Sequence, residues 1–190
     1  MPSCFIDVDS PLIRACPLYT VVIHTDRLAL RPVQPVDIVA LHAHWTDTVV
    51  RRYLWDDVAI PEDQVAALVQ ESAARFETYG HGLWALRPRG HDSTEATPLV
   101  GCGGFWPFHD PPRLELILSL GPAWHGQGLA TEAGRALLAY ARDDLGMTEA
   151  LASTDAPNAA SQRLLDRLGF ACTHRADADG LDTLFYARAL

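Results

Sequence analysis

The chain has 190 residues, 48% of them hydrophobic and 21% charged, with a formal net charge of −9 and an isoelectric point of about 5.2. Its length fits one domain, and its apolar share is enough for a packed core, which argues against a disordered chain. The charge argues against nucleic-acid binding, because neutralising phosphates takes clustered Arg and Lys and no such run occurs. An acidic surface draws cationic partners such as amines or basic protein tails, and it also aids solubility. Four scattered cysteines, Cys4, Cys16, Cys102 and Cys172, form no Cys-x-x-Cys pair and read as free thiols in a reducing compartment. The N-terminus is acidic where a signal peptide is basic, and no apolar run of spanning length follows, so a cytoplasmic chain without a membrane segment is expected.

Residues 1–22 carry Pro2, Pro11 and Pro17 without a sustained period and read as an extension. The apolar stretch from Leu18 to Ile23 suits an added edge strand, and residues 23–190 read as the main domain. Leu28, Leu30 and Pro32 alternate with Arg27, Ala29 and Arg31, the period of a half-buried strand. Pro35 and Asp37 open a helical stretch to Trp45, and a second surrounds Val49 to Leu54. Pro61, Glu62 and Asp63 start a helix that carries Val65, Leu68, Val69, Ala73 and Phe76 at helical spacing and stops at Gly80. Leu83 to Leu86 reads as a strand and residues 88–97 as a hairpin loop. The next strand, Leu99 to Trp106, contains Gly101, Gly103 and Gly104, which point to a bulge or a close approach.

Arg113 to Leu120 is a long apolar strand. After it, Leu129, Ala133, Leu137, Ala141 and Leu145 recur every four residues up to Gly146 and mark the strongest helix. Residues 149–154 follow as a strand, 159–168 as a helix, and 170–175 and 181–189 as two final strands. The order combines antiparallel hairpins with one strand–helix–strand crossover. An α+β fold is expected, with a mostly antiparallel twisted sheet of six to seven strands, helices on both faces and one parallel crossover.

Between the long strand and the strongest helix lies His125-Gly126-Gln127-Gly128-Leu129-Ala130-Thr131-Glu132. Two glycines let the backbone turn tightly and expose consecutive N–H groups, and the helix start adds unpaired donors and a positive dipole end. Such a turn suits a pyrophosphate, although a plain connecting loop has the same composition. The segment resembles motif A of the GNAT superfamily of N-acyltransferases, Gln/Arg-x-x-Gly-x-Gly/Ala ahead of a helix. Gly128 and Ala130 match, while His125 stands at the Gln/Arg position. Asn158 to Phe170, ending in Leu168-Gly169-Phe170, resembles the second signature, and Thr25 to Pro32 resembles the opening strand. That opening, Thr131-Glu132 and the Asn158-x-x-Ser161 form are similar to the RimJ/RimL-type branch of ribosomal-protein N-terminal acetyltransferases.

The resemblance implies acetyl-CoA as co-substrate, held by His125, Gly126, Gln127, Gly128, Leu129, Ala130 and Thr131 through the backbone. It further implies Leu118, Ser119 and Leu120 along the pantetheine and thioester, and Asn158 and Ser161 on the arm and sulfur. Transfer to an amine by direct attack needs a base for the nitrogen proton, a carbonyl polariser and a proton donor for the thiolate. Glu115 is the candidate base, because a carboxylate amid apolar neighbours holds a proton more tightly than one in water. Its bland reading is a Glu salt-bridged near Arg113. Family members often carry Tyr seven residues after the Asn; here Leu165 stands there, which leaves Ser161 as the candidate acid and Tyr140 as a packing residue.

In the family the region of Trp45, Arg51, Arg52, Tyr53, Leu54 and Trp55 walls the acceptor pocket, with His81, Trp84, Trp106, Phe108 and His109 as candidates for the other wall, although such aromatics more often finish the core. Asp47, Asp56 and Asp57 either draw in a cationic amine or, more commonly, form solvated surface. Cys102 reads as a buried small hydrophobe. His42 and His44, two apart on a helix, do not share a face, and no cluster has zinc spacing, so no metal is expected. The acceptor is expected to be a small-molecule amine or a protein N-terminus, and the chain a monomer or homodimer. A non-catalytic acyl-CoA-binding sensor or interaction module on the same fold is the alternative.

Overall fold

The structure, a computed structural model, describes residues 21–89, 98–178 and 180–190. Residues 1–20 of the extension expected at 1–22, and residues 90–97 of the loop expected at 88–97, lie outside the described residues.

The strands are β1 Ile23–His24, β2 Leu28–Pro32, β3 Leu83–Pro88, β4 Gly101–Phe108, β5 Arg113–Leu120, β6 Glu149–Asp155, β7 Ala171–Ala178 and β8 Leu181–Ala189. The helices are α1 Ile38–Thr46, α2 Thr48–Leu54, α3 Glu62–Tyr79, α4 Leu129–Asp143 and α5 Ala159–Arg167, with short 3-10 turns at Pro35–Asp37 and Pro122–Trp124. One sheet runs in the order β1-β2-β3-β4-β5-β6-β8-β7. Every neighbouring pair is antiparallel except β5 and β6. The α+β expectation stands, with eight strands among the described residues rather than six or seven. The added strand is the two-residue β1, which pairs Ile23 with Leu30 and His24 with Ala29 across a turn closed by Thr25.

Helices cover both faces. Leu28, Leu30, Trp84, Leu86, Leu116 and Leu120 pack with α4 residues Leu129, Ala133, Leu137 and Ala141 and with Leu165 of α5. The opposite face holds Leu83, Ala85 and Cys102 against Leu41 and Trp45 of α1, Val50 of α2, and Val65 and Val69 of α3. The four-residue recurrence along α4 is the stripe that meets the sheet, and each fully buried leucine there contributes about 1.5–3 kcal/mol. β3 and most of β4 are buried on both faces, as central strands sandwiched between helices are.

The glycines of β4 mark close approach. A Cβ on Gly101 would lie 2.1 Å from the Ser119 carbonyl oxygen on β5, so only hydrogen fits there. Across the sheet, Asp37 is fully buried at the start of α1. Its Oδ1 accepts from Arg31 of β2 and Arg87 of β3, each at 2.8 Å, and its Oδ2 accepts from the Gln34 amide. One carboxylate thus ties the first helix to two strands.

Candidate active site

β5 and β6 run parallel, but among the described residues they share a single register pair, Glu115 with Leu151. Beyond that point their carboxyl ends have no mutual pairing, while β5 stays paired with β4 along its whole length. Both strands then lead into helices, β5 through the 122–128 turn into α4 and β6 through residues 156–158 into α5. Two helix N-termini therefore sit at the same end of the sheet as the diverging strands. In open sheets this end is the usual place for a ligand.

The turn has the geometry that bare amides require. Gly126 and Gly128 have φ of 74° and 76°, the left-handed region that glycine enters without cost, and a Cβ on Gly126 would meet nothing within 4 Å. No side chain caps α4, and its first intrahelical bond runs from the Glu132 amide to the Gly128 carbonyl, which leaves the amides of Leu129, Ala130 and Thr131 without helical acceptors. A shallow cleft of about 420 Å³ lies against this start, lined by Thr25, Arg27, Gly128, Thr131, Glu132 and Arg135 among others. These residues fit an anion such as a diphosphate. The His125 and Gln127 side chains, both of exposed residues, fold back on the turn: the ring bonds the Leu120 carbonyl at 2.9 Å, and the carboxamide donates to the Ala123 carbonyl at 3.0 Å. They brace the turn while its backbone faces out.

A second brace joins two motifs that are 105 residues apart. Glu132 accepts from the Thr25 hydroxyl at 2.5 Å, the Arg27 amide at 2.8 Å and the Arg27 Nε at 2.7 Å, and Arg27 Nη1 donates to the Gln127 carbonyl at 2.8 Å. Burial would raise the Glu132 carboxyl, but the Thr25 and Arg27 hydrogen bonds and the Arg27 charge outweigh it and hold the group below the usual carboxylate range. Arg27 thereby becomes a structural support of the turn, a role that sequence spacing does not reveal.

Glu115 lies where the strands part, on the face opposite Leu114 and Leu116, with 2% exposure. Ser153 of β6 donates to its Oε2 at 2.6 Å, and His109 Nε2 lies 3.3 Å from its Oε1. That Oε1 has no aligned hydrogen-bond donor among the described residues. Arg113 lies over the Phe185 ring, so the alternative of a Glu115–Arg113 salt bridge gives way to the Ser153 and His109 contacts. Asp155, two residues beyond Ser153, has its carboxyl raised, first by burial and then by the negative charge of Asp56. Asp155 escaped the sequence reading because nothing at its position distinguishes it from a strand-end aspartate.

Ser119, two steps past Ile117 on the same face, meets His44 of α1, with His44 Nε2 2.9 Å from its Oγ. His42 turns instead to the Ile60 carbonyl at 3.0 Å, so the two histidines part as helical geometry requires. Burial lowers the His44 pKa to about 4, with His125 adding to the fall and Asp47 opposing it. Burial, with the charge of Arg75, likewise lowers His81 to about 4. Both rings stay neutral in the folded chain across the interval where an unfolded histidine, with an ordinary value of 6.5, takes up a proton.

The unfolded state then binds more protons below pH 6.5, so stability is complete above that value and declines as pH falls toward 4. Each ring accounts for a loss of up to about 3 kcal/mol. Denaturant midpoints measured from pH 7 to pH 4.5 should therefore fall, ahead of any carboxylate effect; a flat series would contradict the neutral burial of these rings.

On α5, Asn158 is the N-cap, its side chain accepting from the Ser161 amide at 3.2 Å, and Gln162 fixes the approach by donating to the Ala156 carbonyl. Asn158 and Ser161 are half-buried, whereas Leu165 sits in the core at 4% exposure, so packing fills the position where a tyrosine would stand. Tyr140 is a packing residue as expected, donating to the Gly80 carbonyl at 2.7 Å.

Several of the acceptor-wall candidates take the core alternative. Trp84 is fully buried against Phe76 and Tyr140 on the α4 face, and His81 is buried beside Tyr79, so neither lines a pocket on the α2 side. Trp45 is core, with Trp55 edge-on at 5.6 Å. Trp106 and His109 do lie on the Glu115 side. Cys102 is buried, and burial together with the Asp37 charge raises its thiol far above the usual range, which suits a packing role. Among the described residues no three His, Cys, Asp or Glu side chains converge as a metal site, and no helix is long and apolar enough to cross a membrane.

A family model described as an acetyltransferase (GNAT) domain matches residues 27–171. The uncharacterized N-acetyltransferase YoaA of Bacillus subtilis is 28% identical over 150 residues, covering 78% of this chain and 82% of that protein. A solved GnaT-family acetyltransferase from Bordetella pertussis superposes with a TM-score of 0.76 at 26% identity, covering 90% of this chain and all of the other. RimL, a ribosomal L7/L12 alpha-N-protein acetyltransferase solved with coenzyme A, shares the fold with a TM-score of 0.73 at 16% identity, covering 89% and 98% of the two chains.

Proposed function

The chain belongs to the GNAT acetyltransferase family, and on that premise we propose that it transfers the acetyl group of acetyl-CoA to a primary amine by direct attack in a ternary complex. As a member of that family it is an acyl-CoA-dependent acetyltransferase. The acceptor we infer is a protein N-terminal amine or a small-molecule amine. The similarity to RimL supports the first, and the acidic groups Asp56 and Asp155 beside the parting strands suit either. An α-amine, with a pKa of about 7.7–8.0, is also easier to deprotonate than a Lys near about 10.4.

In this reading the amides of residues 125–131 hold the diphosphate, the backbone of Leu118, Ser119 and Leu120 lies along the pantetheine and thioester carbonyl, and Asn158 and Ser161 meet the arm and sulfur. The bound co-substrate supplies the thioester; the chain supplies orientation and proton handling. Glu115 accepts the amine proton through a water molecule, and Ser161 is the candidate proton donor to the thiolate. The Ser119–His44 pair steadies β5 on the acceptor side. The chain acts with no metal, in the cytoplasm, as a monomer or homodimer.

The observation that carries the reading is Glu115 itself. A carboxylate sealed at 2% exposure, at the single pairing point of two diverging strands, keeps one oxygen without an aligned donor. The test is a panel of small amines and N-terminal peptides incubated with acetyl-CoA and read by mass spectrometry together with thiol release. An acetylated amine is expected. CoA binding without thiol release from any amine would replace this reading with a sensor module.

A further inference from the structure

We propose that His109 is the proton exit of Glu115, a positioning residue that receives the proton Glu115 collects and passes it to solvent. This rests on the reading of Glu115 as the base. The reaction itself sets the requirement. An ammonium acceptor sheds two protons as its C–N bond forms and the C–S bond breaks; the departing thiolate takes one, and one must leave the protein at every turnover. Glu115, at 2% exposure amid apolar neighbours, has no direct contact with bulk water through which to lose it.

His109 is placed to close that gap. Its Nε2 is 3.3 Å from Glu115 Oε1 and 3.4 Å from Ser153 Oγ, while its side chain is 22% exposed, so one ring touches both the sealed carboxylate and the surface. Ser153 donates to the other oxygen, and Oε1, without an aligned donor among the described residues, has the His109 ring within ion-pair distance. Imidazole takes up and releases a proton near neutrality more readily than any other side chain.

The ring is held in this place. His109 has a φ of 68°, a left-handed conformation that costs a non-glycine residue about 1–2 kcal/mol and persists where surrounding contacts offset it. Those contacts include the Phe185 ring at 5.2 Å and Phe108 at 6.4 Å. Among the described residues, Glu115 of β5 meets the ring directly, Arg113 of β5 and His174 of β7 share the Phe185 ring with it, and Asp110 is its chain neighbour.

The test uses the intact enzyme with His109→Ala and His109→Gln, assayed at saturating acetyl-CoA and amine from pH 6 to pH 9, with and without added imidazole. Glutamine can bond Oε1 but cannot carry a proton, which separates a structural role from a relay. Both variants should lower kcat by roughly 10–10²-fold, with unchanged CoA affinity and an altered pH profile, and imidazole should restore part of the Ala variant's rate. Wild-type kcat in either variant, or a loss that imidazole does not touch and that leaves the pH profile intact, would overturn the relay. If Glu115→Gln alone keeps wild-type rates, the base reading fails instead; a slow Glu115→Gln beside a fast His109→Gln removes the relay and leaves the base standing.

Discussion

Glu115→Gln should lower kcat by about 10²–10⁴-fold while leaving the Kd for CoA within about twofold of wild type. The change is nearly isosteric, and the amide oxygen can still accept from Ser153, so the β5–β6 junction keeps its 2.6 Å bond. What disappears is the capacity to hold a proton beside an attacking nitrogen. Steady-state kinetics separates this from weaker binding: a base lost only in the transition state lowers kcat and kcat/KM together, whereas a lost substrate contact raises KM alone. A raised KM at full kcat would recast Glu115 as an acceptor-binding group, and wild-type values for both would remove it from the reaction.

The second large effect lies away from the chemistry. Asp37→Ala should destabilise the chain by about 3–5 kcal/mol, because it leaves the Arg87 guanidinium, with a side chain only 9% exposed, without its carboxylate. For a domain of this size that corresponds to a fall in Tm of roughly 6–20 °C. Arg31, at 19% exposure, loses the same partner but reaches water more easily. Thermal melts check the prediction, and the double variant Asp37→Leu with Arg87→Met should recover part of the loss, since a buried charge that has lost its counter-charge is worse than no charge. A melt within a degree or two of wild type would show that water already screens this cluster.

The period-of-two and period-of-four patterns made most elements readable, because each is a local consequence of which face meets the core. Leu28 and Leu30 alternate on β2, and Leu129, Ala133, Leu137 and Ala141 recur on α4, as the sheet and its helix require. The turn at 125–131 was legible for a similar reason, since glycine is the residue that enters a positive φ freely. Partnerships were not legible. Glu132 with Thr25 and Arg27, Asp37 with Arg31 and Arg87, and Ser119 with His44 each join side chains that only the folded topology brings together. The sequence does not choose between pocket and core for Trp84, because β3 is buried on both faces and alternation no longer says which side a residue takes. Glu115 was recognisable as a carboxylate among leucines and isoleucine, but its link to His109 depends on the turn after β4, where backbone conformation places the ring.

Everything proposed for the chemistry depends on a cofactor diphosphate resting on the amides ahead of α4. Calorimetric titration of CoA into the intact chain, beside Gly128→Val, tests this most directly. The wild-type chain should bind saturably below millimolar CoA. Gly128→Val, which forces a β-branched residue into a φ of 76° at the head of the helix, should weaken binding by about tenfold or more, equivalent to about 1.4 kcal/mol. No binding by the intact chain at millimolar CoA, or equal affinity in the folded variant, would contradict the diphosphate site.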